Sequence, residues 1–97
     1  MNSKITIISA GNLGQAIAKG LVKSGSYSSE NISLTRRTLS ELSSFENAGF
    51  YVTGNNSSAV KDSKLIIIAV GPLEAERVLD SFKDDLNPER HILISTM

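Results

Sequence analysis

The chain has 97 residues, a length that suits one small domain. It contains 10 Lys and Arg residues and 10 Asp and Glu residues, so the formal net charge is zero. This balance disfavours binding to nucleic acid or to a membrane surface, because both need a local excess of positive charge. Cysteine is absent, which excludes disulfides, thiol nucleophiles and cysteine-ligated zinc. The first apolar run, Ile5 to Ala10, is too short for a signal peptide or a membrane span, so we expect a cytoplasmic protein.

Short apolar runs alternate with helical patterns along the chain. The runs that predict strands cover residues 4–9, 31–35, 51–53, 65–70 and 91–95, and helical patterns begin near residues 12, 38, 56 and 72. Strands that alternate with helices form parallel sheets, in which the crossovers are right-handed. We therefore predict a single domain over residues 1–97 with a Rossmann-like, doubly wound α/β fold. Its parallel sheet should have five strands in the order 3-2-1-4-5, with helices on both faces.

The first helix is predicted over residues 12–24, and its sequence predicts three local features. Leu13, Ile17 and Leu21 recur at the spacing of one helix face, which predicts a helix, and we expect Ile17 and Leu21 to pack against the sheet. Gly25 occupies the position that follows a helix end. Gly20 lies inside the helix, where glycine costs about 1 kcal/mol relative to alanine, and this suggests close packing against a neighbour.

Two further local predictions concern polar residues. Thr38 and Glu41 have the spacing of a capping box, which predicts that the second helix begins at Thr38. Asp84 and Asp85 are expected near the end of a helix, where the helix dipole disfavours negative charge. We therefore expect both carboxylates to be solvated.

A glycine motif lies between the first predicted strand and the first predicted helix. Its residues are Ser9, Ala10, Gly11, Asn12, Leu13 and Gly14. Gly11 and Gly14 match the second and third glycines of the dinucleotide-binding pattern G-x-G-x-x-G, and Ser9 replaces the first. Those glycines let the backbone approach a pyrophosphate and the helix pack against the strand, while free N–H groups at the helix start attract an anion. An ordinary strand-to-helix turn is the alternative, but the position at the first βα junction favours a dinucleotide site.

The end of the second predicted strand indicates which dinucleotide would bind. An NAD site uses an acidic residue here to bind the ribose 2′-hydroxyl, whereas this chain has Thr35, Arg36, Arg37 and Thr38. A guanidinium group can donate two parallel hydrogen bonds to a phosphate. A solvated pair of surface arginines is the alternative interpretation. We predict NADP rather than NAD as the cofactor.

Four stretches of the chain resemble the N-terminal domain of pyrroline-5-carboxylate reductases and, more broadly, the NADP-oxidoreductase domain shared with deazaflavin-dependent NADP reductases. They are Ile8 to Leu21, Thr35 to Thr38, Asn55 to Asn56 and Ile68 to Pro72. The resemblance implies hydride transfer from NADPH to an imine in proline biosynthesis. It also implies that the family's helical C-terminal domain, which binds the pyrroline and builds the homo-oligomer, has no counterpart in these 97 residues.

The resemblance also implies roles for individual residues. Ala10 to Leu13 should lie beneath the pyrophosphate of the cofactor. Arg36, Arg37 and Thr38 match positions that hold the 2′-phosphate. Asn56 matches an asparagine that meets the cofactor on its adenosine side.

The turn after the fourth strand should pass beside the cofactor. Its matching residues are Ala69, Val70 and Pro72, with Gly71 between them. Gly71 stands where the family usually has lysine, so a cation near the cofactor and substrate is missing. Ser9 stands where the family has glycine, which we expect to loosen the first turn and weaken cofactor binding.

No group with a chemical role in catalysis stands out in the sequence. We find no nucleophile, no acid–base pair and no metal cluster, and spacing suggests no partner for the single histidine, His91. We therefore assign no catalytic residues and no metal, and we expect the chain to hold only the cofactor half of a reductase. A non-catalytic nucleotide-binding or interaction module, which keeps the fold without turnover, is the alternative.

Overall fold

The computed structural model describes residues 4–8, 11–36, 39–61, 63–68, 77–80, 82–85 and 92–95. The strands in this part of the chain are β1 (Ile5–Ile8), β2 (Ile32–Thr35), β3 (Tyr51–Thr53), β4 (Leu65–Ile68) and β5 (Ile92–Ser95). The α-helices are α1 (Asn12–Lys23), α2 (Ser43–Asn47) and α3 (Asn56–Lys61), and residues 77–80 are also helical. Short 3₁₀ turns cover Ser29–Asn31, Leu39–Leu42 and Lys83–Asp85. No helix among the described residues is long and apolar enough to cross a membrane.

The strands form one parallel sheet in the order β3-β2-β1-β4-β5. Strand β1 lies in the centre, where Ile5 pairs with Ile32 of β2 on one side and with Leu65 of β4 on the other. Apolar β-branched residues suit such a strand, because both faces of a parallel sheet are covered. The observed α/β class, parallel sheet and strand order agree with the prediction from the sequence.

Two apolar clusters lie on opposite faces of the sheet, because successive residues of a strand point to opposite sides. The first cluster defines the α1–α2 face and contains Ile5, Ile7, Ala18, Ile32, Leu34, Leu42, Phe45, Phe50 and Ile67. The second cluster defines the α3 face and contains Ile8, Val60, Ile66, Ile68, Val78 and Phe82. Helical segments therefore contribute to the core on both faces.

Helix α1 approaches the sheet through small residues. Gly14 and Ala18 are buried, whereas Leu13 is 51% exposed. Ile17 and Leu21 pack against the cluster of the α1–α2 face, as predicted. Small side chains at the centre of the contact let the helix backbone lie close to the strands, which turns Leu13 towards solvent.

The two glycines near the C-terminal end of α1 behave differently. Gly25 has a φ of +81°, and its N–H binds the Val22 carbonyl at 3.0 Å, so it follows the helix end as predicted. The predicted close packing at Gly20 is wrong, since no neighbouring atom lies within 4 Å of the position that a Cβ would take. Gly20 lies on the exposed side of the helix.

The second helical region is shorter than predicted. A 3₁₀ turn over Leu39–Leu42 comes first, and α2 begins only at Ser43. Phe45 of α2 is buried against Phe50, with the ring centroids 5.3 Å apart in an edge-to-face arrangement. Such a short helix is unstable alone, so tertiary packing of Phe45 holds it in place. The predicted helix start at Thr38 lies outside the described residues.

A polar cluster is buried on the α3 face. Thr6 Oγ1 and Ser63 Oγ each lie 3.0 Å from the Ala59 carbonyl oxygen, and the two hydroxyls also contact each other. Two hydroxyl hydrogens can satisfy only two of these three contacts at once. The Ala59 carbonyl belongs to the last turn of α3, where carbonyl groups lack helical partners. The two hydroxyls therefore cap the C-terminal end of α3.

Candidate functional site

The carboxyl ends of the parallel strands lie at one edge of the sheet, which we call the carboxyl edge. Three connections leave this edge: Gly11 follows β1, Arg36 follows β2, and Gly54 and Asn55 follow β3. In open α/β sheets, ligands bind in the crevice outside this edge. The structure thus brings three of the predicted site segments to the same edge.

The start of α1 is open to an anionic ligand. Gly11 is the N-cap residue with an extended backbone, no side chain of the described residues caps the helix, and its first turn has no acidic residue. The Gln15 N–H makes an early helical bond, to the Gly11 carbonyl at 2.9 Å. The N–H groups before Gln15 are therefore the ones that a ligand can reach. Buried Gly14 agrees with the predicted role of the third glycine in helix–strand packing.

The end of β2 places Arg36 at the carboxyl edge. Arg36 is half-buried, and its N–H binds the Thr53 carbonyl at 3.3 Å, which ties it to the end of β3. Thr35 is fully buried, so its side chain supports this region from within and offers no surface to a ligand in this conformation. The direction of β2 therefore makes Arg36 the first of the predicted 2′-phosphate residues to reach the edge.

The turn from β3 into α3 is held by side-chain hydrogen bonds. The Asn55 N–H binds Thr53 Oγ1 at 3.1 Å, and Asn55 Oδ1 accepts the Ser58 N–H at 3.1 Å. Asn55 is thus the N-cap residue of α3, and half-buried Asn56 is its first helical residue. Sequence reasoning singled out Asn56 but missed Thr53 and Asn55. The usable signal was an asparagine immediately before a short helical pattern.

An acidic residue outside α3, Asp85, binds two side chains of this helix. Asp85 accepts a hydrogen bond from Ser57 and lies 3.6 Å from Lys61 Nζ. Its side chain is only 18% exposed, so the expectation of a solvated Asp85 is wrong. Asp84 is exposed, as expected. A polar partner 28 positions away explains why local sequence context misjudged Asp85.

Several predicted site residues lie outside the described part of the chain. They are Ser9, Ala10, Arg37, Thr38, Ala69, Val70, Gly71 and Pro72, and for Asn12 only the backbone is described. Their assignment to the cofactor stays a prediction. Among the described residues, no cluster of His, Cys, Asp or Glu could hold a metal ion.

The sheet topology and the ligand-accessible edge define an α/β domain of the Rossmann-like class. The chain belongs to the family described as NADP oxidoreductase coenzyme F420-dependent, whose model matches residues 4–97. This membership confirms the family resemblance seen in the sequence.

Individual relatives carry the name pyrroline-5-carboxylate reductase. Reductase 1 of Dictyostelium discoideum is 41% identical over 93 residues, and reductase 2 of the same organism is 40% identical over 97 residues. These matches cover 96% and 99% of this chain but 17% and 32% of the two relatives. The structure of a pyrroline-5-carboxylate reductase from Coxiella burnetii matches 98% of this chain and 35% of its own, with a TM-score of 0.87 and 31% identity. The chain therefore spans about a third or less of the length of these relatives.

Proposed function

We propose that this chain is the NADP(H)-binding domain of an oxidoreductase of the pyrroline-5-carboxylate reductase type, which transfers hydride from NADPH to an imine. The observation that carries the proposal is the uncapped start of α1 at the same sheet edge as Arg36. Family membership and the names of the relatives support the cofactor and the reaction class. When NADPH is bound, its nicotinamide supplies the hydride, and the protein supplies binding and orientation.

The start of α1 fits the pyrophosphate of a dinucleotide. Free N–H groups and the positive end of the helix dipole attract a phosphate, and a capping side chain or an acidic first turn would oppose it. Neither of these occurs at the start of α1. Gly11 has a φ of −83°, which any residue can adopt, so the backbone freedom of glycine is not needed here. The glycine matters because it has no side chain, which lets the pyrophosphate approach the backbone. In this proposal Ser9, Ala10, Asn12 and Leu13 complete the loop beneath the pyrophosphate.

The end of β2 fits the 2′-phosphate of NADP. Arg36 is anchored through its backbone to β3, so its side chain extends from a fixed point at the carboxyl edge. A guanidinium group suits a phosphate because it can donate paired, charge-assisted hydrogen bonds. We propose that Arg37 and Thr38 share this role and that Asn56 contacts the adenosine side. The segment 69–72 is proposed to pass beside the cofactor.

The chain is proposed to provide the cofactor half of a larger active site. It spans only 17% to 35% of the reductases named above, and hydride transfer needs the imine held within about 3–3.5 Å of the nicotinamide. We therefore expect the 97 residues alone to bind NADPH without pyrroline-5-carboxylate-dependent NADPH oxidation. The proposal includes a cytoplasmic location and a homo-oligomer built through the C-terminal part of such reductases.

Calorimetric titration of the 97-residue chain with NADPH and NADH tests the proposal. The expected result is tighter binding of NADPH, with Arg36→Ala weakening NADPH about tenfold or more and leaving NADH nearly unchanged, because one charge-assisted contact contributes about 1.5–3 kcal/mol. Lys64→Ala is the matched control, since it removes one exposed positive charge before β4, at the opposite edge of the sheet. Equal affinity of the wild-type chain for both nucleotides would contradict the proposal.

A further inference from the structure

Thr53 joins two connections of the candidate site. It is the last residue of β3, and its carbonyl oxygen accepts the Arg36 N–H at 3.3 Å. Its side-chain hydroxyl accepts the Asn55 N–H at 3.1 Å. One residue therefore links the end of β2 to the turn that enters α3.

The turn after Thr53 determines where α3 starts. Asn55 Oδ1 accepts the Ser58 N–H at 3.1 Å, and the Asn55 carbonyl accepts the Ala59 N–H at 3.3 Å. A Cβ added at Gly54 would be in van der Waals contact with the Arg36 carbonyl oxygen, at 3.7 Å, so the turn runs close to the end of β2. These contacts fix the position of Asn56, which is the next residue along the chain.

From these contacts we infer that Thr53 is a positioning residue for the adenosine side of the cofactor site and acts through Asn56. This inference rests on the proposed function. The hydroxyl fixes the Asn55 N–H, and Asn55 then caps α3. The first residue of α3, Asn56, therefore begins the helix at the carboxyl edge. Without the hydroxyl, the Asn55 N–H loses its partner and the turn becomes less ordered. The bond from Arg36 to the Thr53 carbonyl does not depend on the side chain.

A purely structural role for Thr53 predicts a different pattern of effects. In that case, replacing the hydroxyl would lower stability without changing ligand binding by the folded chain. Thr53→Val is a suitable variant because valine keeps the shape and the strand preference of threonine while removing the hydroxyl. Thr53→Ser keeps the hydroxyl, and the pair Thr53→Ala and Thr53→Ser differs by the hydroxyl alone.

The experiment measures the dissociation constant of 2′,5′-ADP, the adenosine half of NADP, by calorimetry, and checks folding by circular dichroism. For Thr53→Val we expect a three- to tenfold weaker affinity, about the value of one hydrogen bond. For Thr53→Ser we expect an affinity within about twofold of the wild type. Thr53→Val added to Asn56→Ala should cause no further loss, because the first residue acts through the second.

Two results would overturn the inference while leaving the proposed function intact. One is a Thr53→Val variant that binds 2′,5′-ADP with wild-type affinity. The other is a Thr53→Val substitution that weakens 2′,5′-ADP binding by the same factor in the wild-type chain and in the Asn56→Ala variant. If Thr53→Val does not fold, the comparison of Thr53→Ala with Thr53→Ser decides in its place, and equal affinities overturn the inference. A folded wild-type chain that fails to bind 2′,5′-ADP would overturn both the inference and the proposed function.

Discussion

The two faces of the sheet hold their helices by different means. On the α1–α2 face, the cluster is apolar and Phe45 packs against Phe50. Lys19 Nζ lies 5.4 Å from the ring centroid of Phe45. On the α3 face, an apolar cluster is joined by hydroxyl groups that bind the end of α3 and by a carboxylate that binds its side. Apolar packing is non-directional, whereas hydrogen bonds fix orientation.

This difference matches what each helix must do. Helix α1 has 12 residues, and the apolar surface that it buries stabilises its position on the sheet. Helix α3 has 6 residues, of which only Ala59 and Val60 are buried, so it would not form alone. It also carries Asn56, whose position matters to the proposed cofactor site. The directional bonds of the α3 face therefore place a site residue that apolar contacts alone would leave loosely held.

The largest expected effect tests the apolar face. Phe45→Ala removes a buried ring and leaves a cavity, so we expect a loss of about 3–5 kcal/mol in the free energy of unfolding. Urea unfolding followed by circular dichroism measures this loss. Tyr51→Ala is the control, because Tyr51 is 55% exposed on an edge strand and should cost about 1 kcal/mol or less. Similar losses in the two variants would show that this face does not depend on the buried ring.

The next effect tests the polar cap of α3. Thr6→Val and Ser63→Ala should each cost about 0.5–1.5 kcal/mol, because the remaining hydroxyl still binds the Ala59 carbonyl. The double variant leaves that carbonyl without either hydroxyl, so its loss should exceed the sum of the single losses by about 1 kcal/mol or more. Urea unfolding of all three variants checks the prediction. Strictly additive losses would mean that the two hydroxyls do not serve one carbonyl.

The smallest effects separate the two partners of Asp85. Ser57→Ala removes a part-buried hydrogen bond to a carboxylate and should destabilise the chain by about 1 kcal/mol. Lys61 is 65% exposed, so Lys61→Ala should change stability by about 0.5 kcal/mol or less, and added salt should abolish even that difference. Thermal unfolding at low and high salt measures both. A larger loss from Lys61→Ala than from Ser57→Ala would reverse this ranking.

The sheet could be predicted from the sequence because its signals are local. Strand β3 has the predicted bounds, helix α3 begins at the predicted residue, and the apolar run from Leu65 predicted β4. Local signals failed where a distant partner decides the outcome. Asp85 is held by Ser57, and the hydroxyl of Thr6 inside an apolar strand contacts Ser63 in the connection between α3 and β4. A hydrophobicity pattern contains no information about such pairings.

The candidate site was predicted in part for the same reason. Gly11, Gly14 and Arg36 stand at junctions that a strand–helix pattern locates, and the structure places them at or beside one edge. The contact of Thr53 with the end of β2 could not be foreseen, since it depends on a backbone bond between β2 and β3.

Amide NMR spectra of the isotope-labelled chain, recorded during titration with NADP, show directly which edge of the sheet binds the dinucleotide. We predict shifts for Gly11, Gly14, Arg36 and Asn56 at the carboxyl edge. We predict almost none for residues at the opposite edge, for which Gly25, Gly49 and Lys64 are reporters. Shifts centred on the opposite edge, or a spectrum unchanged at saturating NADP, would contradict the claim that this edge is a dinucleotide site.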